Sequence, residues 1–189
     1  MRVREARAVT RPATGGLLLA ITASLAACQL KPIPRDPMAA PATSAAAAVD
    51  PSKVVSFSFP DLDGKEVSTA TVHGRTTVVF FGTAYDTFVQ AEARFLIDVE
   101  HLHTPRLNVV MIMLERAENR PMVSIFSDVL QHPFPICMAD ADTIAGHGPF
   151  QGMNSVPSLL ILDKEGREKY RHAGMQKEEE IEAAIKSVE

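Results

Sequence analysis

Residues 53–189 predict an α/β fold: a mixed central β-sheet flanked by helices, with an N-terminal β-hairpin. Three observations carry this prediction. Val78-Val79-Phe80-Phe81 and Leu107-Asn108-Val109-Val110-Met111-Ile112-Met113-Leu114 are short, nearly continuous apolar runs, the pattern of strands buried on both faces. Helix-spaced apolar stripes follow both runs and also close the chain. Turn-forming stretches, above all Asp63-Gly64, separate the shorter runs as hairpin turns do.

In chain order, Val54-Val55-Ser56-Phe57-Ser58-Phe59 alternates in part, like a half-buried strand. Pro60-Asp61-Leu62-Asp63-Gly64-Lys65 turns the chain, and Glu66 to Thr71 is the predicted returning strand. Val78 to Phe81 is the central strand, and the small residues of Gly82-Thr83-Ala84 lead out of it. Asp86 stands as an N-cap for a helix from Thr87 to about His103, with Val89, Ala93, Leu96 and Val99 inside and Gln90, Arg94, Asp98 and His101 outside. After the Leu107–Leu114 strand, Pro121 opens a helix with Met122, Ile125, Phe126 and Val129 on one face. Phe134-Pro135-Ile136-Cys137-Met138 is a short strand or extended stretch. Leu159 to Leu162 is a strand, Asp163-Lys164-Glu165-Gly166 a hairpin turn, and Glu168 to Arg171 its return. The last helix runs from about Lys177, with Ile181, Ala184, Ile185 and Val188 inward and Glu178 to Glu180 at its positive end.

The first 52 residues read differently. Arg2, Arg4, Arg7 and Arg11 precede an apolar run from Leu17 to Leu25, too short to span a bilayer comfortably. Leu25-Ala26-Ala27-Cys28 follows and resembles a bacterial lipobox, which implies a signal peptide over 1–27 and lipidation of Cys28. The alternative is an ordinary cleaved signal with a coincidental cysteine. Two or three acyl chains anchor a protein stably where one is marginal. Gln29 replaces the aspartate that marks inner-membrane retention in such signals, so an outer-membrane anchor facing the periplasm is the expectation. Residues 28–52, rich in Ala and Pro, read as a tether.

The 189-residue chain carries 19 basic and 23 acidic residues. Loss of the four arginines and Glu5 with the signal leaves 15 against 22, a net of −7. That balance argues against a nucleic-acid partner. The histidines at 73, 101, 103, 132, 147 and 172 include one close pair, His101-x-His103, which would not share a helix face. With no Cys-x-x-Cys or His-Glu-x-x-His, neither a metal site nor another cofactor is expected, and solvated histidines are. Gly146-His147-Gly148-Pro149 reads as a flexible loop, without the look of a phosphate cradle.

The stretch from Val78 to Glu92 resembles the redox segment of the thioredoxin superfamily, in its TlpA/ResA-type envelope branch. Phe81, Tyr85 and Glu92 fit that frame, and Val156-Pro157-Ser158 resembles its step before a strand, where a cis-proline faces the redox centre. The resemblance extends over about residues 54–188 and includes the hairpin. The frame's two cysteine positions hold Asp86 and Val89. Thiol–disulfide exchange needs a thiolate, and neither side chain supplies one. Cys137 is the possible thiol, and its apolar surroundings favour a packing role.

The resemblance implies an open backbone before the cis-proline, to which an extended partner segment can add as a strand. The sequence therefore predicts a binding groove of Tyr85, Asp86, Phe88, Val156 and Pro157, with envelope proteins as partners. The predicted function is a lipid-anchored, thioredoxin-like binding or assembly module, inactive at the usual redox site. The rival is a thiol–disulfide oxidoreductase acting through Cys137 or through a partner's thiols.

Overall fold

The computed structural model describes residues 52–189. The signal segment, Cys28 and nearly all of the tether lie outside the described residues. Seven strands and five helices follow in the order β1 (Ser58–Pro60), β2 (Glu66–Ser68), α1 (Thr69–Val72), β3 (Thr76–Gly82), α2 (Thr87–His103), β4 (Leu107–Met113), α3 (Arg120–Leu130), β5 (Ile136–Met138), α4 (Ala141–Ile144), β6 (Ser158–Leu162), β7 (Glu168–Ala173) and α5 (Glu178–Val188). β5-β4-β3-β6-β7 form one five-stranded sheet and β1-β2 a separate hairpin. β3, β4 and β5 are parallel, while β6 runs antiparallel to both β3 and β7. The architecture is thus the predicted one, a mixed sheet between helices with a hairpin before it.

All seven residues of β3 are buried, as a strand covered on both faces requires. Its side chains alternate between two cores. Val78 and Phe80 pack with Val89, Leu96, Phe126 and Ile185 under α2, α3 and α5. Val79 and Phe81 face the hairpin, where Phe57 and Phe81 each lie 5.2 Å, ring centre to ring centre, from Phe150. Phe150 comes from a 3₁₀ turn at Gly148–Phe150 and is buried. The stretch read as a flexible loop therefore delivers a core aromatic. Gly146 and Gly148, at φ 77° and 73°, make the bends that glycine tolerates best.

Two other expectations need correction. The returning hairpin strand stops at Ser68, and Thr69–Val72 is helical. Here the Thr69 hydroxyl donates to the Val55 carbonyl (2.7 Å) and accepts from the Phe57 N–H (2.9 Å), while Thr71 Oγ1 accepts from the Ser68 N–H (2.9 Å). Short hydroxyl side chains compete in this way with strand pairing. In α3 the buried residues are Val123, Phe126 and Leu130, whereas Ile125 and Val129 are exposed. Both sets satisfy helical spacing, and the sheet takes the first.

Candidate functional site

The C-terminal end of β3 organises the site. Gly82 ends the strand, and a Cβ there would sit 2.5 Å from Val89 Cγ1 and 2.9 Å from Met111 Cε. Only glycine lets the first turn of α2 lie this close over the strand end. The loop that follows is pinned from three sides. The Ala84 N–H donates to Glu115 Oε1 (2.6 Å), the Ala84 carbonyl accepts from Gln90 Nε2 (3.2 Å), and the Asp86 N–H reaches the Thr83 carbonyl (3.4 Å).

Asp86 caps α2 as the sequence predicts. Its Oδ1 accepts from the N–H groups of Phe88 (2.8 Å) and Val89 (3.0 Å), two donors the helix leaves unpaired. Val89 is wholly buried and packs in the core. Tyr85 and Phe88, by contrast, are 63% and 60% exposed. Tyr85 precedes the cap and Phe88 lies in the first turn of α2, so both aromatic side chains stand in solvent on either side of Asp86.

Strand register brings the second half of the site to the same end. Phe81 pairs with Ser158, so Val156 and Pro157 approach β6 where β3 leads into the loop. The Val156–Pro157 peptide is cis. The Pro157 carbonyl accepts from the Gly174 N–H (2.8 Å), and Ser158 Oγ donates to the Ser155 carbonyl (2.7 Å), which secures the segment on both sides. Val156 lies between these anchors, and its own N–H and C=O have no hydrogen-bond partner among the described residues. Backbone groups are obligatory hydrogen-bonders, so this pair is open to water or to another chain. Tyr85, Asp86, Phe88, Val156 and Pro157 therefore share one end of the sheet.

Cys137 does not join them. It sits on β5, two strands from β3, fully buried on the hairpin side of the sheet. Burial and the nearby Asp61 carboxylate push its thiol up to about 12, which favours the protonated form at neutral pH.

Glu92, which fits the redox frame in the sequence, lies one turn beyond Val89. Glu92 is completely buried on the inner face of α2. Its Oε2 accepts from the Gln176 N–H at 3.3 Å, and Oε1 has no partner. Burial raises its pKa to about 7, the Gln176 N–H opposes the rise, and the Glu180 charge adds to it. Gln176 Nε2 in turn donates to the Tyr170 hydroxyl (2.7 Å). The signal was present in the spacing, since position 92 falls on the stripe of Val89, Ala93 and Leu96.

Two histidines also depart from the solvated expectation. His103 is buried with both ring nitrogens unpartnered. His132 is half-buried, with Nε2 2.8 Å from Ser127 Oγ and Nδ1 against the Phe134 carbonyl, and burial lowers its pKa although that carbonyl opposes the shift. No described helix is long and apolar enough to cross a membrane.

No known protein-family profile matches the chain, and no curated protein matches it. Solved structures do. A thiol:disulfide interchange protein of the thioredoxin family from Chlorobium tepidum superposes with TM-score 0.64 at 21% identity, over 75% of this chain and 99% of the other. A secreted Mycobacterium tuberculosis disulfide oxidoreductase homologous to E. coli DsbE gives 0.58 at 18% identity, over 69% and 95%. The pneumococcal exposed lipoprotein thioredoxin Etrx1 from Streptococcus pneumoniae gives 0.59 at 15% identity, over 70% and 98%. At these identities the likeness establishes the fold, which is thioredoxin-like.

Proposed function

We propose that this protein is a lipid-anchored, TlpA-like envelope module that binds extended protein segments at the surface of Tyr85, Phe88 and half-buried Val156, with Pro157 itself buried, and performs no thiol exchange at the start of α2. One observation carries the binding reading: the N–H and C=O of Val156 are unpartnered beside a fixed loop with exposed Tyr85. An extended segment supplies both missing bonds as an added strand, and its side chains meet the aromatic surface. Asp86 serves this role as a structural cap, and Val89 as packing. The anchor is the lipidated Cys28, and the expected location is the outer membrane facing the periplasm.

The reading is tested with a photo-crosslinking residue placed at Tyr85, and at exposed Lys164 as a control, in the intact lipoprotein in cells. Adducts at position 85 that Val156→Pro, which removes the N–H, depletes are expected. Equal adducts at both positions, or none at 85, would overturn it.

A second reading has a specific support: the solved neighbours include a thiol:disulfide interchange protein and a secreted disulfide oxidoreductase. It assigns exchange to Cys137 or to a partner's thiols. Insulin-disulfide reduction that disappears with Cys137→Ser would favour it over the binding module.

A further inference from the structure

At the opposite end of the sheet β4 is only half covered. β3 pairs with it from Leu107 to Met113, but on its other edge β5 meets only Met111, Ile112 and Met113. The Leu114 N–H bonds to the Gly82 carbonyl, so even-numbered positions turn toward β3 and odd-numbered ones away. The Met111 N–H takes the Pro135 carbonyl at 3.0 Å, and there the ladder stops. Its next bond would run from the N–H of residue 135 to the Val109 carbonyl, and proline has no N–H. The N–H and C=O groups of Leu107 and Val109 thus point away from β3 with no strand paired to them, although both residues are only 3% exposed, their side chains lying in the core.

They face a groove of about 810 Å³, walled by the hairpin turn, the C-terminal ends of α2 and α3, and the segment 132–136. Its rim carries the carboxylates of Asp61, Asp63, Glu66, Glu100 and Asp128 against only Lys65 and Arg75. None of these five carboxylates is in an ion pair among the described residues. Some accept hydrogen bonds from neutral groups, as Glu100 does from Thr104 Oγ1 (2.7 Å), which leaves the charge uncompensated. The rim is net negative by three, around a floor that offers strand-type donors and acceptors.

We propose that this open half-edge of β4 is a second docking site, which takes an extended Lys- or Arg-bearing peptide segment as an added strand. The backbone of Leu107 and Val109 supplies the ladder bonds, and side chains at alternate positions of the guest reach the acidic rim. Charge complementarity selects the guest: an acidic segment meets like charge, and an uncharged one gains only the short ladder. The site is remote from Val156 and independent of what binds there.

The test uses the ¹⁵N-labelled, delipidated full chain and two probes, acetyl-Lys-Val-Lys-Val-Lys-amide and acetyl-Glu-Val-Glu-Val-Glu-amide. The basic peptide should give saturable shifts at the Leu107 and Val109 amides and slow exchange of the Val109 N–H at least about tenfold. Asp63→Lys/Asp128→Lys, two exposed side chains with no hydrogen-bond partners, should weaken that binding at least about tenfold without altering the free spectrum elsewhere. Raised salt should weaken it as well. Absence of saturation, shifts confined to Tyr85 and Val156, equal response to the acidic peptide, or unchanged affinity in the double variant would each overturn the proposal. Protection of Val109 by dimerisation without peptide would assign the edge to a second copy and overturn it too.

Discussion

Glu92→Gln isolates the least comfortable group in the core. In the folded chain burial raises the Glu92 pKa from 4.5 to about 7. Between those two values the native state holds a proton that the unfolded chain has released, so stability falls as pH rises. Below pH 4.5 both states are protonated and the residue costs nothing; above pH 7 the whole cost is present. A shift from 4.5 to about 7 corresponds to about 3 kcal/mol. Glutamine has the same shape, and its carbonyl can still accept from the Gln176 N–H, but it never ionises. The variant should therefore match the parent at pH 4 and exceed it by up to about 3 kcal/mol at pH 8, a midpoint shift on the order of 1–2 M in urea with an unchanged slope. Urea denaturation of both proteins at pH 4, 5, 6, 7 and 8 measures the difference, in which the other carboxylates cancel. A difference that stays flat across this range, or a variant less stable at pH 8, refutes the assignment of the raised pKa to Glu92.

Asp86→Ala removes the acceptor for the Phe88 and Val89 N–H groups and should cost about 1 kcal/mol in thermal or urea unfolding, with Asp86→Asn close to neutral. Gly82→Ala places a methyl 2.5 Å from Val89 Cγ1 and should cost about 1–3 kcal/mol, read as a lowered melting temperature. Cys137 should fail to react with an aromatic disulfide reagent in the native state at pH 8 and react at once in denaturant; fast native labelling would contradict its burial.

How much of this was legible in the sequence depends on which atoms do the work. β3, β4 and β6 were readable because a strand buried on both faces must be apolar throughout, and the N-cap at Asp86 fixed the start of α2. The grouping of Tyr85, Phe88, Val156 and Pro157 at one sheet end was expected from resemblance and needed the Phe81–Ser158 register to be placed. Thr69 read as a strand residue, because β-branched residues favour strands and its hydroxyl's partner, Val55, lies 14 residues away. The burial of Glu92 runs against its residue type, since a charged residue is almost never fully buried. The openings at Val156 and Val109 are properties of backbone atoms. Side-chain identity does not report them, except at Pro135, where the missing N–H is written in the sequence.

If the scaffold around α2 is complete and lacks only sulfur, supplying it should create the chemistry. Asp86→Cys/Val89→Cys puts one thiol at the helix start and a second three residues along, on the side that packs inward. The two backbone N–H groups that Asp86 now accepts are donors for a thiolate at the same place, and the helix dipole adds to them, so the first thiol should ionise well below its ordinary value. The second, buried like Val89, should stay protonated until the first has attacked, then lose its proton, attack the residue-86 sulfur of the mixed disulfide and expel the substrate's thiolate, leaving an 86–89 disulfide for dithiothreitol to reduce. Loss of the Asp86 cap costs about 1 kcal/mol, and the buried thiol replaces most of the Val89 volume, so the fold should survive. Insulin-disulfide reduction with dithiothreitol as the electron source measures the gain. The parent should not exceed the uncatalysed rate, and the double variant should exceed it at least about tenfold. A variant that folds, forms its 86–89 disulfide and still does not turn over would mean that this end of the sheet is shaped for something other than presenting a thiolate. The aromatic surface of Tyr85 and Phe88, which would cover the approach to that thiolate, would then be the next residues to alter.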